Sequence, residues 1–276
     1  MRVAGREIFV ASEATGEGPP LLLLHGFPSS SFDWRLVVDR LGARPWLAPD
    51  FVGFGLSEKS REPNDLRKQA DVVEAVVGEM ALEGVRIVGH DMGTSVANEL
   101  MARAIEGKLT FECDAALLFN GSMVVERASL TWEQKVLRSR AGFLLAALSN
   151  PLSMRRGLGA VFSDAHPLRA EEARCQWALL RHRGGNRNLH RLTSYIEQRI
   201  ELAERWHGAI RDWPGRLELA WGLLDPVATT EVLSAVRELR PAARVHELPD
   251  LGHYPQLEDP DRLAGVVTEA LPRLDP

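Results

Sequence analysis

The sequence predicts an α/β fold: a mostly parallel sheet flanked by helices, with a helical lid inserted before the last two strands. Three observations carry this. Short apolar runs such as 20–24 and 115–119 alternate with helical patterns. The alternation stops from about 122 to 209, where helices and polar loops replace strands, and then resumes. Between a strand pattern and a helix pattern lies Gly89-His90-Asp91-Met92-Gly93, whose small glycines allow a sharp turn that lifts one carboxylate above the sheet.

Taken in order, 2–10 reads as a short polar strand. Strand 20–24 ends at His25-Gly26-Phe27-Pro28, and strand 46–50 ends in Phe51-Val52-Gly53-Phe54-Gly55. Residues 66–80 have helical periodicity, 85–88 feed the Asp91 turn, 94–105 form the helix after it, and 115–119 is the next strand. Strands 216–221 and 243–248 restore the pattern. The core is therefore expected over 1–121 and 210–276, with the lid over 122–209. A lid so placed lies over the C-terminal strand ends, where open α/β sheets bind ligands. Its most apolar stretch, 141–152, reads as a helix facing the core in preference to an interface.

Composition narrows the function classes. A chain of 276 residues with 45% hydrophobic content suits one large core, and a net charge of −5 gives no footprint for nucleic acid. The start lacks the pattern of a signal peptide, and 141–148 is too short to span a bilayer, which needs about 20 residues. A cytoplasmic protein without stable membrane insertion is expected. Cys113 and Cys175 read as free thiols. No ligand spacing suggests a metal and no Gly-x-Gly-x-x-Gly follows a strand, so no cofactor is expected. Oligomeric state is left open, with a homodimer one option.

Asp225, in Gly222-Leu223-Leu224-Asp225-Pro226, follows the penultimate strand, and His253, in Leu251-Gly252-His253-Tyr254-Pro255, follows the last. The order Asp91, Asp225, His253 is nucleophile, acid, histidine, and each member sits just past a strand, so all three can converge on one sheet edge. Taken singly, Asp91 also reads as a helix N-cap, Asp225 as a turn former and His253 as a surface histidine. Three in order, each in a glycine-containing context, favour the catalytic reading. Two backbone N–H groups, of Phe27 and of Met92 after the nucleophile, are placed to form an oxyanion hole. His90, His182, His190, His207 and His246 lack such contexts and read as structural, as does Asp50 beside Gly53 and Gly55.

With these motifs the chain resembles the α/β-hydrolase superfamily in its aspartate-nucleophile branch, the epoxide hydrolases and haloalkane dehalogenases. A closer similarity, to the mesoderm-specific-transcript-like group, rests on HGFPSSSFDW from His25, the lid stretch from Tyr195 to Ala209, and HYPQLEDP from His253. The resemblance implies a carboxylate that attacks saturated carbon and forms an alkyl ester on Asp91. His-Gly-Phe-Pro is shared with epoxide hydrolases. Dehalogenases of the branch place a tryptophan after the nucleophile and an asparagine in the early loop, where this chain has Met92 and Phe27. Epoxide hydrolases place two lid tyrosines over the epoxide oxygen; here only Tyr195 lies in the lid, the other tyrosine being Tyr254. The expected reaction is opening of a small apolar epoxide to a diol, with Tyr195 as lid acid. Dehalogenation is the nearest rival, with Trp34 or Asn120 as substrate-binding halide donors. Ester or lactone hydrolysis and a non-catalytic receptor on the same fold are the others.

Overall fold

The computed structural model describes residues 1–60, 62–139 and 141–273. The chain opens with a small antiparallel hairpin, β1 (Arg2–Val3) and β2 (Arg6–Glu7). The single strand expected over 2–10 is corrected here: Ala4 and Gly5, at φ 49° and 74°, turn the chain back. The sheet then begins with β3 (Val10–Glu13), followed by β4 (Leu21–Leu24), β5 (Trp46–Pro49), β6 (Arg86–His90), β7 (Ala115–Phe119), β8 (Arg216–Gly222) and β9 (Arg244–Leu248). Their spatial order is β3-β5-β4-β6-β7-β8-β9. Only β3 runs antiparallel to its neighbour; the other pairs are parallel.

Strands β4, β6 and β7 are buried along their whole lengths, so they are apolar on both faces rather than alternating. Helices α1 (Arg35–Val38), α2 (Leu66–Glu79) and α3 (Met92–Ile105) connect the first strands. One face of the sheet packs on α2 and α3 through Val73, Val76 and Leu100. The other packs on α1 and the C-terminal helix through Val37, Leu263 and Val267.

Between β7 and β8 stand seven α-helices among the described residues: α4 (Trp132–Leu137), α5 (Gly142–Leu148), α6 (Pro151–Gly159), α7 (Ala170–Arg181), α8 (Leu189–Leu192), α9 (Tyr195–Glu201) and α10 (Ala203–Asp212). Helix α10 packs on α3 around Glu99, whose buried carboxylate accepts from Arg103 Nε (3.1 Å), Arg205 Nε (2.9 Å) and Trp206 Nε1 (3.0 Å). A buried carboxylate with three charged or polar donors is a satisfied one, and it ties the helical segment to the core. After β8 come α11 (Thr230–Leu239), α12 (Pro255–Glu258) and α13 (Pro260–Ala270). No described helix is long and apolar enough to cross a membrane.

The expectation that 141–152 faces the core is corrected. Helix α5 turns Ala146 inward, but Phe143, Leu144 and Leu148 are exposed, as is Leu152 at the start of α6. An apolar run of this length fixes a helix without fixing which side is covered.

Candidate active site

The site begins where β6 hands the chain to α3. Asp91 sits between them at φ 44° and ψ −110°, a conformation that costs a residue with a side chain about 1–3 kcal/mol. Its carbonyl holds it there, accepting from Thr94 N–H (3.1 Å), the Thr94 hydroxyl (2.6 Å) and Arg199 Nη2 (2.9 Å). The surrounding glycines are steric requirements. A Cβ on Gly93 would lie 2.2 Å from the Leu24 carbonyl oxygen, and one on Gly26 would lie 2.9 Å from Asp91 Cβ.

The Asp91 carboxylate makes no capping bond to α3, so the N-cap reading fails. Its Oδ2 accepts instead from the Phe27 N–H at 2.9 Å, in the loop after β4. That loop is shaped by His25, whose Nδ1 lies 2.9 Å from the Gly26 carbonyl while Nε2 accepts from Phe51 N–H at 3.0 Å. Met92 opens α3, so its N–H is among the four that a helix cannot satisfy internally. Asp50 accepts from the Ser31 and Leu56 N–H groups (2.7 Å each) and shapes the loops below the site.

His253 follows β9 and turns Nδ1 to Asp225 Oδ2 at 2.7 Å. With Nδ1–H donated there, Nε2 is the ring nitrogen left for chemistry. Asp225 is both turn former and acid. Its Oδ1 accepts from the Val227 (2.7 Å) and Ala228 (3.1 Å) N–H groups, while Oδ2 also accepts from Asn120 Nδ2 (2.8 Å). Glu258 braces the histidine loop, accepting from the Gly252 (2.8 Å), Tyr254 (3.0 Å) and Ser163 (3.0 Å) N–H groups.

The electrostatics follow from burial and neighbours. Burial opposes the charge on Asp91, but Arg199, then His253 and His90, outweigh it and hold the carboxyl below its ordinary range. Burial likewise opposes a charged His253, yet Asp225 and then Asp91 raise its pKa above the ordinary 6.5. Burial pushes His90 down to about 3, so it stays neutral. It is structural, bridging the His253 carbonyl (2.7 Å) and Gln256 (3.0 Å).

Two residues of α9 reach the elbow, the β6–α3 turn that carries Asp91, from above. Tyr195 and Arg199 lie one turn apart on one helix face, with the guanidinium 4.8 Å from the Tyr195 ring centre. Arg199 is buried; its Nε donates to Ser95 Oγ at 2.8 Å and its Nη2 lies 3.4 Å from Asp91 Oδ1. Nothing in the sequence marks Arg199 for this role, because an arginine in an amphipathic helix normally lies at the surface. Tyr195 is buried beside Phe27, its hydroxyl accepting from Gln134 Nε2 at 3.2 Å. Burial, then Asp91, pushes its pKa well up, so it remains a proton donor. No acceptor for that proton occurs among the described residues. Tyr254 differs, since its hydroxyl is donated to the Phe27 carbonyl at 3.0 Å.

A cavity of about 140 Å³ runs from Phe27, His253 and Tyr254 up between the helices inserted after β7, past Leu137, Met154 and Trp177. Of the expected site residues, Phe27 and His253 line it; Asp91, Met92 and Tyr195 lie outside its lining, as do the two expected to bind substrate. Trp34 is buried on the opposite side of the sheet, edge-on to Phe119. Asn120 spends its amide on Asp225 and on the Gly222 carbonyl (3.2 Å), and its oxygen on Gly222 N–H (3.0 Å), making it a positioning residue for the acid. Both are corrections: Asn120 directly follows β7 and Trp34 ends the turn Ser31–Trp34 after β4, but side-chain direction decides reach. Cys113 and Cys175 are both free, and no described group of His, Cys, Asp and Glu could hold a metal.

The chain is similar to known proteins over most of its length. The chain is 52% identical over 266 residues to LipZ of Mycobacterium tuberculosis, a hydrolase by provisional name, covering 96% of this chain and 92% of that protein. It is 35% identical over 270 residues to the human mesoderm-specific transcript homolog protein, covering 93% and 80%. A shorter match, 42% over 83 residues, is to a soluble epoxide hydrolase of Corynebacterium sp. (strain C12), covering 30% and 29%. The solved structure of the epoxide hydrolase CorEH superposes with a TM-score of 0.79 at 19% identity, covering 98% of this chain and 96% of that one. The model of the alpha/beta hydrolase family matches residues 21–266. With that match over most of its length, the chain belongs to the alpha/beta hydrolase family.

Proposed function

We propose that this hydrolase opens an epoxide to a diol through an ester on Asp91. The observation that carries the reading is the Asp91 carboxylate at the elbow, held ionised and bonded to the Phe27 N–H. A carboxylate here attacks saturated carbon. Oδ1, with only a 3.4 Å contact to Arg199, is the freer oxygen and attacks a ring carbon. The ring C–O bond breaks, and its oxygen takes the Tyr195 proton. His253 Nε2 then removes a proton from water, which adds to the ester carbonyl. The Phe27 and Met92 N–H groups stabilise the resulting oxyanion. Collapse expels the diol alkoxide, which the His253 imidazolium protonates; the Asp91 carboxyl so formed carries one oxygen from water, and its proton returns to the Tyr195 phenolate, which restores both groups.

The choice between epoxide and carbon–halogen bond turns on donors. A departing halide needs N–H groups at the elbow, and neither Phe27 nor Met92 has one in its side chain. Trp34 lies across the sheet and Asn120 is committed to Asp225. Trp177 is the one indole among the described cavity-lining residues. An epoxide instead needs a hydroxyl donor, which Tyr195 supplies. The test is a single turnover of an aryl epoxide in heavy-oxygen water. The label is expected in Asp91, with the diol unlabelled. Label appearing directly in the diol would mean that water attacks the epoxide and that no ester forms.

A further inference from the structure

We propose that the outer face of α4–α6 docks on an anionic lipid bilayer and that apolar substrate reaches the cavity from the lipid. Half of the large exposed hydrophobic side chains among the described residues fall in this one stretch: Trp132, Phe143, Leu144, Leu148 and Leu152. Trp132, Phe143 and Leu148 are 66%, 54% and 74% exposed. On α5 the exposed Phe143, Leu144 and Leu148 form one stripe, while Leu145 on the other side lines the cavity and Ala146 is buried. The helix is thus apolar on both sides, but only one side is covered by this chain.

Charge identifies the partner. The sequence from 131 to 157 carries five cations and one acid, in a chain whose net charge is −5. Lys135, Arg155 and Arg156 are exposed and make no ion pair among the described residues. A second copy would set these cations against themselves. An anionic bilayer complements them, with aromatic and leucine side chains inserting at the headgroup boundary and cations meeting lipid phosphates.

The cavity mouth lies in the same patch. Glu133 and Ser153 are exposed and line the cavity, and each directly follows a patch residue, Trp132 and Leu152. An apolar molecule dissolved in lipid can therefore pass toward Phe27 and His253 without crossing bulk water. This delivery rests on the proposed use of the cavity; the docking does not, and the experiment reads docking directly.

The test is co-sedimentation of the full chain with vesicles of phosphatidylcholine alone or mixed with phosphatidylglycerol. Three proteins are compared: the native chain, a Phe143→Ser, Leu148→Ser variant and an Arg155→Gln, Arg156→Gln variant. The native chain is expected to bind the anionic vesicles, with about tenfold weaker binding for each variant and loss of binding at high salt. All four positions are exposed, so unfolding midpoints should be unchanged. Failure of the native chain to bind anionic vesicles, or equal binding by the serine variant, overturns the proposal. So does a native dimer that becomes monomeric in that variant without vesicle binding, which would make the patch an interface between copies.

Discussion

At the scale of single residues, the chemistry is set by which groups are charged. His253 must be neutral to take a proton from water, and Asp225 and Asp91 raise its pKa. The sign follows: activity is present above its pKa and falls as pH drops through it. In the ester Asp91 is uncharged and its share of that rise is lost, so the acid limb of kcat for ester hydrolysis rests on Asp225 against burial and should fall in the range about histidine's ordinary 6.5. A profile flat well below that would remove His253 as base. The positions of Asp91, Asp225 and His253 were legible in sequence because each lies in a glycine-containing loop just past a strand pattern. Arg199 was not, since nothing in a helix sequence says that one cation is folded inward onto a carboxylate. Trp34 and Asn120 were placed in the right loops and given the wrong neighbours, because strand-end position does not determine side-chain direction.

At the scale of elements, the elbow stores strain that close packing over-determines. Gly93 lets α3 start against the end of β4, where any Cβ would meet the Leu24 carbonyl oxygen at 2.2 Å. Gly93→Ala should destabilise the fold by about 3 kcal/mol or more, since backbone rather than a flexible side chain must move. Urea unfolding would report it as a lower midpoint at unchanged slope; an unchanged midpoint would show that the approach of β4 to α3 is not tight. Strand positions were readable to within a residue or two at β4, β5 and β7, where burial leaves an apolar run, and at β8 and β9, where apolar residues are interspersed with polar ones. The orientation of α5 was not readable, because Gly142, Phe143, Leu144, Leu145 and Ala146 carry no polar residue to mark a solvent side.

At the scale of the whole molecule, α7 is seated on the core by a buried polar seam. Asp33, in the core loop, accepts from Gln176 Nε2 of α7 at 2.6 Å, and Arg35 pairs with Glu172 of the same helix. Burial raises Asp33 from 3.8 to about 7. The folded state thus holds this proton more tightly than the unfolded chain. Its contribution is fully present below pH 3.8 and is lost as pH rises toward about 7. Asp33→Asn should remove a pH-dependent loss on the order of 2–4 kcal/mol across that window, read from urea midpoints at several pH values. Parallel curves for both proteins would mean Asp33 is ionised in the fold. Intact-protein mass spectrometry of the His253→Ala variant decides whether an ester forms on Asp91. Incubated with an epoxide, it should gain the mass of the whole epoxide, and the Asp91→Asn, His253→Ala double variant should gain nothing. With a haloalkane, gain of the alkyl group alone would reassign the protein as a dehalogenase, and no adduct from either would contradict Asp91 as nucleophile.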